Sequence, residues 1–286
     1  MKAKMHKAIL LLILGLSSSA MALSPIGPAQ AVIGEKQWAV GLNVGYQSMD
    51  LVADGTFYEY PSSGPTPRDM PDQIALEDIE SISSFVQIGF GISQNWDIYG
   101  LIGASDADGD ATVKPSSSDP KIPVNGFTDG QKFDVNGDHE VALGFGTRFT
   151  LKDCETVKWG GMAQMTWQSP KGGSAWTSKA DPAYRTTGTW ELDYWELIVA
   201  VGPTFVYDNV QFYGGPFLHM VRGDMDFSGT TTDGTAKTSQ DLEEEAMIGG
   251  FAGMQMDLSE NTVFYVDGQF TGQAWGIGMG TILRVK

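Results

Sequence analysis

The residues best suited to chemistry in this chain are its carboxylates, and two runs space them like metal ligands. Asp106-x-Asp108-x-Asp110 has the alternating acids that open a calcium loop, and Asp134-x-Asn136-x-Asp138 repeats the spacing. Such a loop needs glycine at its sixth position for a sharp turn and a bidentate glutamate at its twelfth. The first run has Ala111 and Ser117 there, and the second has His139 and Phe145. These segments are therefore expected to bind ions weakly at most, and no metal or cofactor site is expected. A single cysteine, Cys154, excludes both a Cys-cluster zinc site and an intramolecular disulfide. No serine-centred elbow, P-loop or dinucleotide fingerprint occurs.

The elements that would position these side chains begin behind an export signal. Lys2, Lys4 and Lys7 form a basic region, residues 8–16 (AILLLILGL) a short apolar one, and Ala20-Met21-Ala22 a small-x-small cleavage site. The apolar run is far short of the ~20 residues that a membrane-spanning helix needs. Residues 1–22 are thus expected to be a cleaved signal, and residues 23–286 one domain. Cleavage removes three lysines and no acid from a chain whose net charge is already −17. That acidity argues against a general nucleic-acid binder. With 42% hydrophobic and only 19% charged residues, the chain is not a disordered one.

After the signal, the chain alternates with period two, the mark of β-strands. Over 141–151, Val141, Leu143, Phe145, Phe149 and Leu151 share one face, and Ala142, Gly144, Gly146, Arg148 and Thr150 the other. Trp38, Val40, Leu42, Val44 and Tyr46 alternate in the same way, as do Val86, Ile88, Phe90 and Ile92, and Trp275, Ile277, Met279, Leu283 and Val285. The predicted strands are 36–48, 80–92, 96–105, 139–151, 157–168, 190–206, 210–224, 243–257, 262–271 and 273–286. Connections after the even-numbered strands are short. Those after the first, third, fifth and seventh are long: 51–77, 106–137, 169–188 and 226–240. In an up-and-down meander, alternate connections lie at one end, so nearly all the long loops share an end and the short turns the other. Short periplasmic turns and longer external loops are the layout of a transmembrane barrel.

Aromatic spacing fits that layout. Trp38 and Tyr46 share a face eight residues apart, as do Trp159 and Trp167. Eight residues of strand at ~3.3 Å each, tilted ~40°, rise about 20 Å, close to the apolar band between two aromatic girdles. The expected girdle is Trp38, Tyr46, Trp159, Trp167, Trp195 and Trp275. The fold class expected is all-β: a closed antiparallel up-and-down transmembrane barrel of about ten strands.

The signal, the alternating strands, the asymmetric connections and the girdle aromatics resemble the small bacterial outer-membrane β-barrel superfamily, of the OmpA/OmpX/OmpW kind. The resemblance spans residues 35–286 and is one of architecture, without a specific motif. It implies a place in the outer membrane with the long loops outside. Such barrels commonly end in an aromatic residue, whereas this chain ends Arg284-Val285-Lys286. A weaker resemblance is to the omptin family of outer-membrane proteases, since Asp106, Asp108 and His139 fall at neighbouring rim ends. That family's Asp-x-His pair is absent, and an enzyme is not expected.

A ten-stranded lumen is narrow. Its predicted wall is rich in glycine (Gly41, Gly45, Gly89, Gly91, Gly144, Gly146, Gly160, Gly276, Gly278, Gly280), which leaves room for water or for a neighbour's side chain. Ionisable residues expected inside, because a charge facing lipid is costly, are Glu140, Arg148, Lys158, Glu196, Glu245, Asp267 and Arg284. Leu143 and Phe145 should touch lipid, and Arg148 should find Glu140 or Glu196. The expected function is structural or a narrow porin-like path for small ions and solutes. The alternatives are a binding or adhesion surface on the long acidic loops and, further off, a soluble periplasmic β-barrel or an omptin-like protease. Expected partners are outer-membrane lipid and, at the acidic loops, lipopolysaccharide or divalent cations.

Overall fold

The computed structural model describes residues 24–62, 68–115, 132–177, 183, 185–244 and 247–285. Its strands are β1 (Trp38–Pro61), β2 (Arg68–Ser93), β3 (Trp96–Ser105), β4 (Asp108–Pro115), β5 (Lys132–Asp138), β6 (Glu140–Asp153), β7 (Val157–Gln168), β8 (Lys171–Thr177), β9 (Arg185–Tyr207), β10 (Val210–Thr231), β11 (Gly234–Glu243), β12 (Ile248–Asp257), β13 (Thr262–Phe270) and β14 (Ala274–Val285). All pair antiparallel in one sheet. A ring closes in the order β1–β2–β3–β6–β7–β9–β10–β12–β13–β14 and back to β1. This is the ten-strand, closed, up-and-down barrel that the alternation predicts.

The strand β9 shows how sequence sets the facing. Its even residues point inward along the whole length: Trp190, Leu192, Tyr194, Glu196, Ile198, Ala200 and Thr204 are buried. Its odd residues point outward, but their chemistry changes at one place. Thr187, Thr189, Glu191 and Asp193 come first; then Trp195, Leu197, Val199, Val201 and Phe205. On the inner face Trp190, Leu192 and Tyr194 give way to Glu196, with Ile198, Ala200 and Thr204 beyond it. Trp195 stands at the boundary. Below it the barrel is apolar outside and mixed inside, with Glu196 and Thr204 alongside Ile198 and Ala200, and the apolar outer belt is the facing of a membrane-spanning barrel. Above it the pattern is that of a barrel in water.

The four long connections are a correction to the sequence reading. Among the described residues of 51–77, 106–137, 169–188 and 226–240, most are strand, not loop. Above the membrane ring, β1, β2, β4, β5, β8, β9, β10 and β11 close a second, smaller ring. Leu51, Ala53, Leu76, Ile79, Ala111, Val135, Trp190, Leu192, Met225, Ala236 and Leu242 fill it with an apolar cluster. The acids that made these segments read as loops lie on its wet outer face, where Asp54 and Asp224 are exposed. The ring narrows because Thr271–Gln273 joins β13 to β14 at the membrane edge. The strand β11 then swings over that turn to pair with β1, Val52 opposite Glu243.

Candidate functional site

The lumen of the membrane ring is occupied by the chain's own N-terminal segment. Residues 24–33, Ser-Pro-Ile-Gly-Pro-Ala-Gln-Ala-Val-Ile, form a strap without helix or strand, and every one but Ala31 is buried. A buried segment without secondary structure must find partners for its backbone groups, and the wall supplies them. Gly27 N donates to Asp267 Oδ2 at 2.9 Å. Val32 N and Ile33 N both donate to Asp97 Oδ2, at 2.7 and 3.1 Å. Ala31 N donates to Thr150 Oγ1 at 3.2 Å. In the other direction, Arg148 Nη2 donates to Ile26 O at 3.2 Å, Arg284 Nε to Val32 O at 2.8 Å, and Gln269 Nε2 to Ser24 O at 3.2 Å. The Gln30 side chain bonds Thr204 and Gln211. Pro25 and Pro28 bring no N–H to satisfy.

Wall glycines make room for the strap. A Cβ at Gly91 would overlap Gly34 O, one at Gly89 the Ile33 side chain, one at Gly160 the backbone of Ala29 and Gln30, and one at Gly278 Pro25. The glycine-lined face therefore accommodates a peptide at these four positions. At Gly146 it accommodates Tyr99. Ile26 and Ala29 pack into the apolar cluster that includes Met162, Ile198, Ala200, Tyr213, Phe217 and Phe251.

The structure divides the ionisable residues expected in the lumen. Arg148, Glu196 and Asp267 are buried there. Arg284 is half-buried at the short-turn end, where it also donates to Glu260 O at 3.2 Å. Lys158 sits at the same mouth, 3.2 Å from Asp153 in an ion pair, and does not reach the interior. Glu140 is a correction: it lies at the outer rim opposite Ser105 and lines a cleft outside the wall. Glu245 lies outside the described residues. Arg148 pairs with neither Glu140 nor Glu196. Glu140 lies eight residues along the same strand, and Glu196 belongs to β9, beyond β7. Arg148 instead faces Asp97 across the β3–β6 ladder and stacks on Tyr99, its guanidinium carbon 4.4 Å from the ring centre.

Glu196 has other company. Its Oε1 lies 2.8 Å from His219 Nε2, and its Oε2 accepts from Ser24 Oγ at 2.7 Å and Thr166 Oγ1 at 3.1 Å. Glu244 Oε2 lies 2.6 Å from His219 Nδ1, an off-axis ion-pair contact, and its Oε1 accepts from Thr271 Oγ1 at 3.2 Å. An imidazole thus sits buried between two buried carboxylates at the outer end of the strap. Glu244 lies beyond the last residue of β11 and His219 in the interior of β10, so strand parity alone does not bring the two together. Residues 24–33 carry no period at all. The available signal was an uncharged, proline-bearing, apolar stretch directly after the cleavage site.

Of the expected girdle, Trp38, Trp159, Trp167 and Trp275 are exposed and Trp195 half-exposed on the outer face. Trp167 and Trp195 stand directly opposite one another. Tyr46 is a correction: it keeps the outward parity but is only 5% exposed, and its ring lies 6.1 Å from that of Trp275. Leu143 and Phe145 are exposed on the outer face. At the rim, His139 Nδ1 lies 3.1 Å from Asp106 Oδ2. On the wet outer wall a cleft of about 700 Å³ is lined by Glu140, Lys171, Glu191, Asp226 and Lys237, among others. Lys171 and Glu191 pair there at 2.7 Å, and that hydrogen bond holds the ammonium above the usual lysine range. Among the described residues, no group of three or more His, Cys, Asp and Glu side chains is arranged to hold a metal ion.

No protein-family model and no curated protein matches the chain. Among solved structures, the outer membrane protease OmpT from Escherichia coli matches with 11% identity and a TM-score of 0.46, over 89% of this chain and 96% of that one. The Ralstonia pickettii toluene transporter TbuX matches with 11% identity and a TM-score of 0.43, over 95% and 96%. The translocator domain of the autotransporter NalP from Neisseria meningitidis matches with 12% identity and a TM-score of 0.41, over 99% and 96%.

Proposed function

We propose that this protein is an outer-membrane barrel held closed by its own N-terminal strap, with a polar lumen that passes small ions or solutes only when the strap is out. The observation that carries this reading is the strap itself. Residues 24–33 are bonded along their length to lumen side chains from β3, β6, β9, β10, β13 and β14, so they fill the lumen of the ring. The export signal and the apolar outer belt support the outer membrane as its location. Layout alone supports kinship with the OmpA/OmpX/OmpW kind. No enzymatic role is proposed for the rim pair of His139 and Asp106.

Planar-bilayer recording tests the reading. The purified mature chain should insert silently, and a chain lacking residues 24–33 should insert and conduct. Equal currents from the two would show that the strap is no plug.

A second reading is favoured by the outer ring. Strands that continue beyond the membrane around an apolar core make a rigid platform, and the cleft around Lys171 and Glu191 offers both signs of charge. A surface-binding role, to a headgroup sugar or phosphate of lipopolysaccharide or to divalent cations bridging such groups, would use this platform. Retention of intact cells, but not of cells with the cleft charges neutralised, on immobilised lipopolysaccharide would support it.

A further inference from the structure

We propose that β9 and β10 meet in a weak seam within the membrane, and that Gln30 of the strap clasps it shut from inside. Release of the strap parts the seam and admits uncharged apolar molecules from the bilayer to the lumen. The β9–β10 ladder runs from Val210 opposite Tyr207 to Tyr213 opposite Thr204, stops, and resumes at Phe217 opposite Ala200. Three residues are skipped on each strand, Val201-Gly202-Pro203 and Gly214-Gly215-Pro216, so the register is the same on both sides of the gap. The same residues stay paired with β7 and β12. Register shifts elsewhere in the ring, at Met49/Leu51, Gly91/Ser93 and Thr150/Lys152, lie at its rims. This gap lies inside the apolar belt, where Val199 and Val201 are exposed. Proline is its cause. Continuing the register sets Pro216 opposite Val201 and Pro203 opposite Gly214, and a proline has no N–H to donate. The carbonyl oxygens of Val201 and Gly214 point into the seam, against Gly215 and Gly202. Two ladder bonds are thus missing at a depth where lipid offers no replacement.

The strap covers this place from the lumen side. Gly202 and Gly215 are the seam's inward residues, and a Cβ on either would overlap the other strand's backbone, so the seam has no side chain of its own there. Gln30 is buried and spans the two strands. Thr204 Oγ1, next to Pro203, donates to Gln30 Oε1, and Gln30 Nε2 donates to Gln211 Oε1 on β10 at 3.2 Å. One side-chain amide therefore links β9 to β10 beside their missing bonds. Ile26 and Ala29 join the apolar cluster that contains Ala200, Tyr213 and Phe217, inward residues that flank the gap. The chemistry on either side of the seam sets what it admits. Val199, Val201 and Leu218 lie outside and Ile198, Ala200 and Phe217 inside, all of them uncharged. An apolar molecule finds apolar side chains on both sides, whereas an ion would first have to leave water for lipid.

The proposal rests on the strap's place in the lumen and not on whether the barrel conducts. Its test uses the full barrel in nanodiscs of phosphatidylethanolamine and phosphatidylglycerol, with hydrogen exchange read amide by amide. The amides of Val201 and Gly214 face the seam, as their carbonyls do. They should exchange at least ~10-fold faster than those of Leu42 and Thr281, which pair across the unbroken β1–β14 ladder. Gln30→Ala should raise that exchange about tenfold more. Pro203→Val combined with Pro216→Val restores both N–H groups and should lower it to the level of Leu42. A second readout is trifluoromethylphenyl diazirine, an uncharged aromatic probe dissolved in the bilayer and activated by light. It should mark Tyr213 and Phe217 in Gln30→Ala, and should fail to once the two valines are added. Three results would each overturn the proposal: seam amides as protected as Leu42, exchange unchanged in Gln30→Ala, or equal marking with and without the valines. If Gln30→Ala fails to fold, exchange in the parent and in the double-valine variant still decides. A chain lacking residues 24–33 that conducts while its seam amides stay protected would overturn the seam and leave the plug standing. One whose seam opens while it stays silent in bilayers would sink the plug reading alone.

Discussion

The guanidinium of Arg148 on β6 donates a hydrogen bond of 3.2 Å to the carbonyl oxygen of Ile26, 122 positions earlier in the chain. Both residues are fully buried. The pair ties the strap to the wall at mid-lumen and places the arginine beside Asp97, which holds the strap through Val32 N and Ile33 N. One buried cation and one buried anion, opposite each other on β6 and β3, thus grip the same peptide.

Replacing Arg148 by alanine should therefore loosen the plug without turning the barrel out of the membrane. It removes the hydrogen bond to Ile26 O and the cation opposite Asp97 on the neighbouring strand, so the strap loses one of its anchors. The folded form should convert to the unfolded one at lower temperature in heat-modifiability gels, and current should appear across bilayers. A variant as heat-resistant and as silent as the parent would mean that the pair does not hold the strap.

Gly91→Val tests the glycine floor. A side chain there would overlap the backbone at Gly34, where the strap leaves the lumen, so the strap and not the strand must yield. Assembly should be normal and conductance raised. Gly100→Ala is the matched control, because the nearest atom to a Cβ at Gly100 is 4.0 Å away. Equal currents from the two variants would argue against displacement of the strap.

Phe145→Arg tests the facing. Phe145 is 55% exposed on the outer belt, packed near Trp167 at 5.7 Å between ring centres. An arginine on the lipid face costs about 2–4 kcal/mol near the membrane midplane, so the variant should accumulate unassembled in the periplasm. Fractionation that recovers it in the outer membrane at parental levels would reverse the assigned faces.

The outer ring should behave as a folded unit. Leu192 is fully buried in its apolar cluster, and truncation to alanine should cost about 2–5 kcal/mol. Protease added to intact cells should cut the parent only at the end of the barrel that carries β4, β5, β8 and β11, and should spare the short turn at Gln94-Asn95. In Leu192→Ala, further cuts should appear within the outer parts of β9 and β10 while the membrane ring stays inserted. Cleavage confined to 94–95 would mean that the barrel is inverted.

The barrel itself was legible because each membrane strand repeats one binary choice every second residue. Val141, Leu143 and Phe145 on one face and Ala142, Gly144 and Gly146 on the other need no tertiary information to be assigned. The same local rule placed Arg148, Glu196 and Asp267 inside, since parity decides facing and lipid excludes charge. It also placed Trp167 and Trp275 outside. The outer ring was harder to read. There the outer face is polar and the inner face apolar, so Leu51, Ala53 and Leu76 alternate with acids in segments whose composition is that of loops.

Parity says which way a side chain points but not what it meets, and partners across the lumen come from strands far apart in sequence. That Arg148 meets Asp97 and Ile26, and not Glu140 or Glu196, follows only from the β3–β6 register and the strap's path. That His219 lies between Glu196 and Glu244 depends on how β11 crosses to β1 at the membrane edge, a choice set by the shortness of the Thr271–Gln273 turn. The strap has no period to read at all. Its backbone is held by side chains of four strands and its Ser24 and Gln30 side chains by two more, so its structure exists only once the barrel has closed around it.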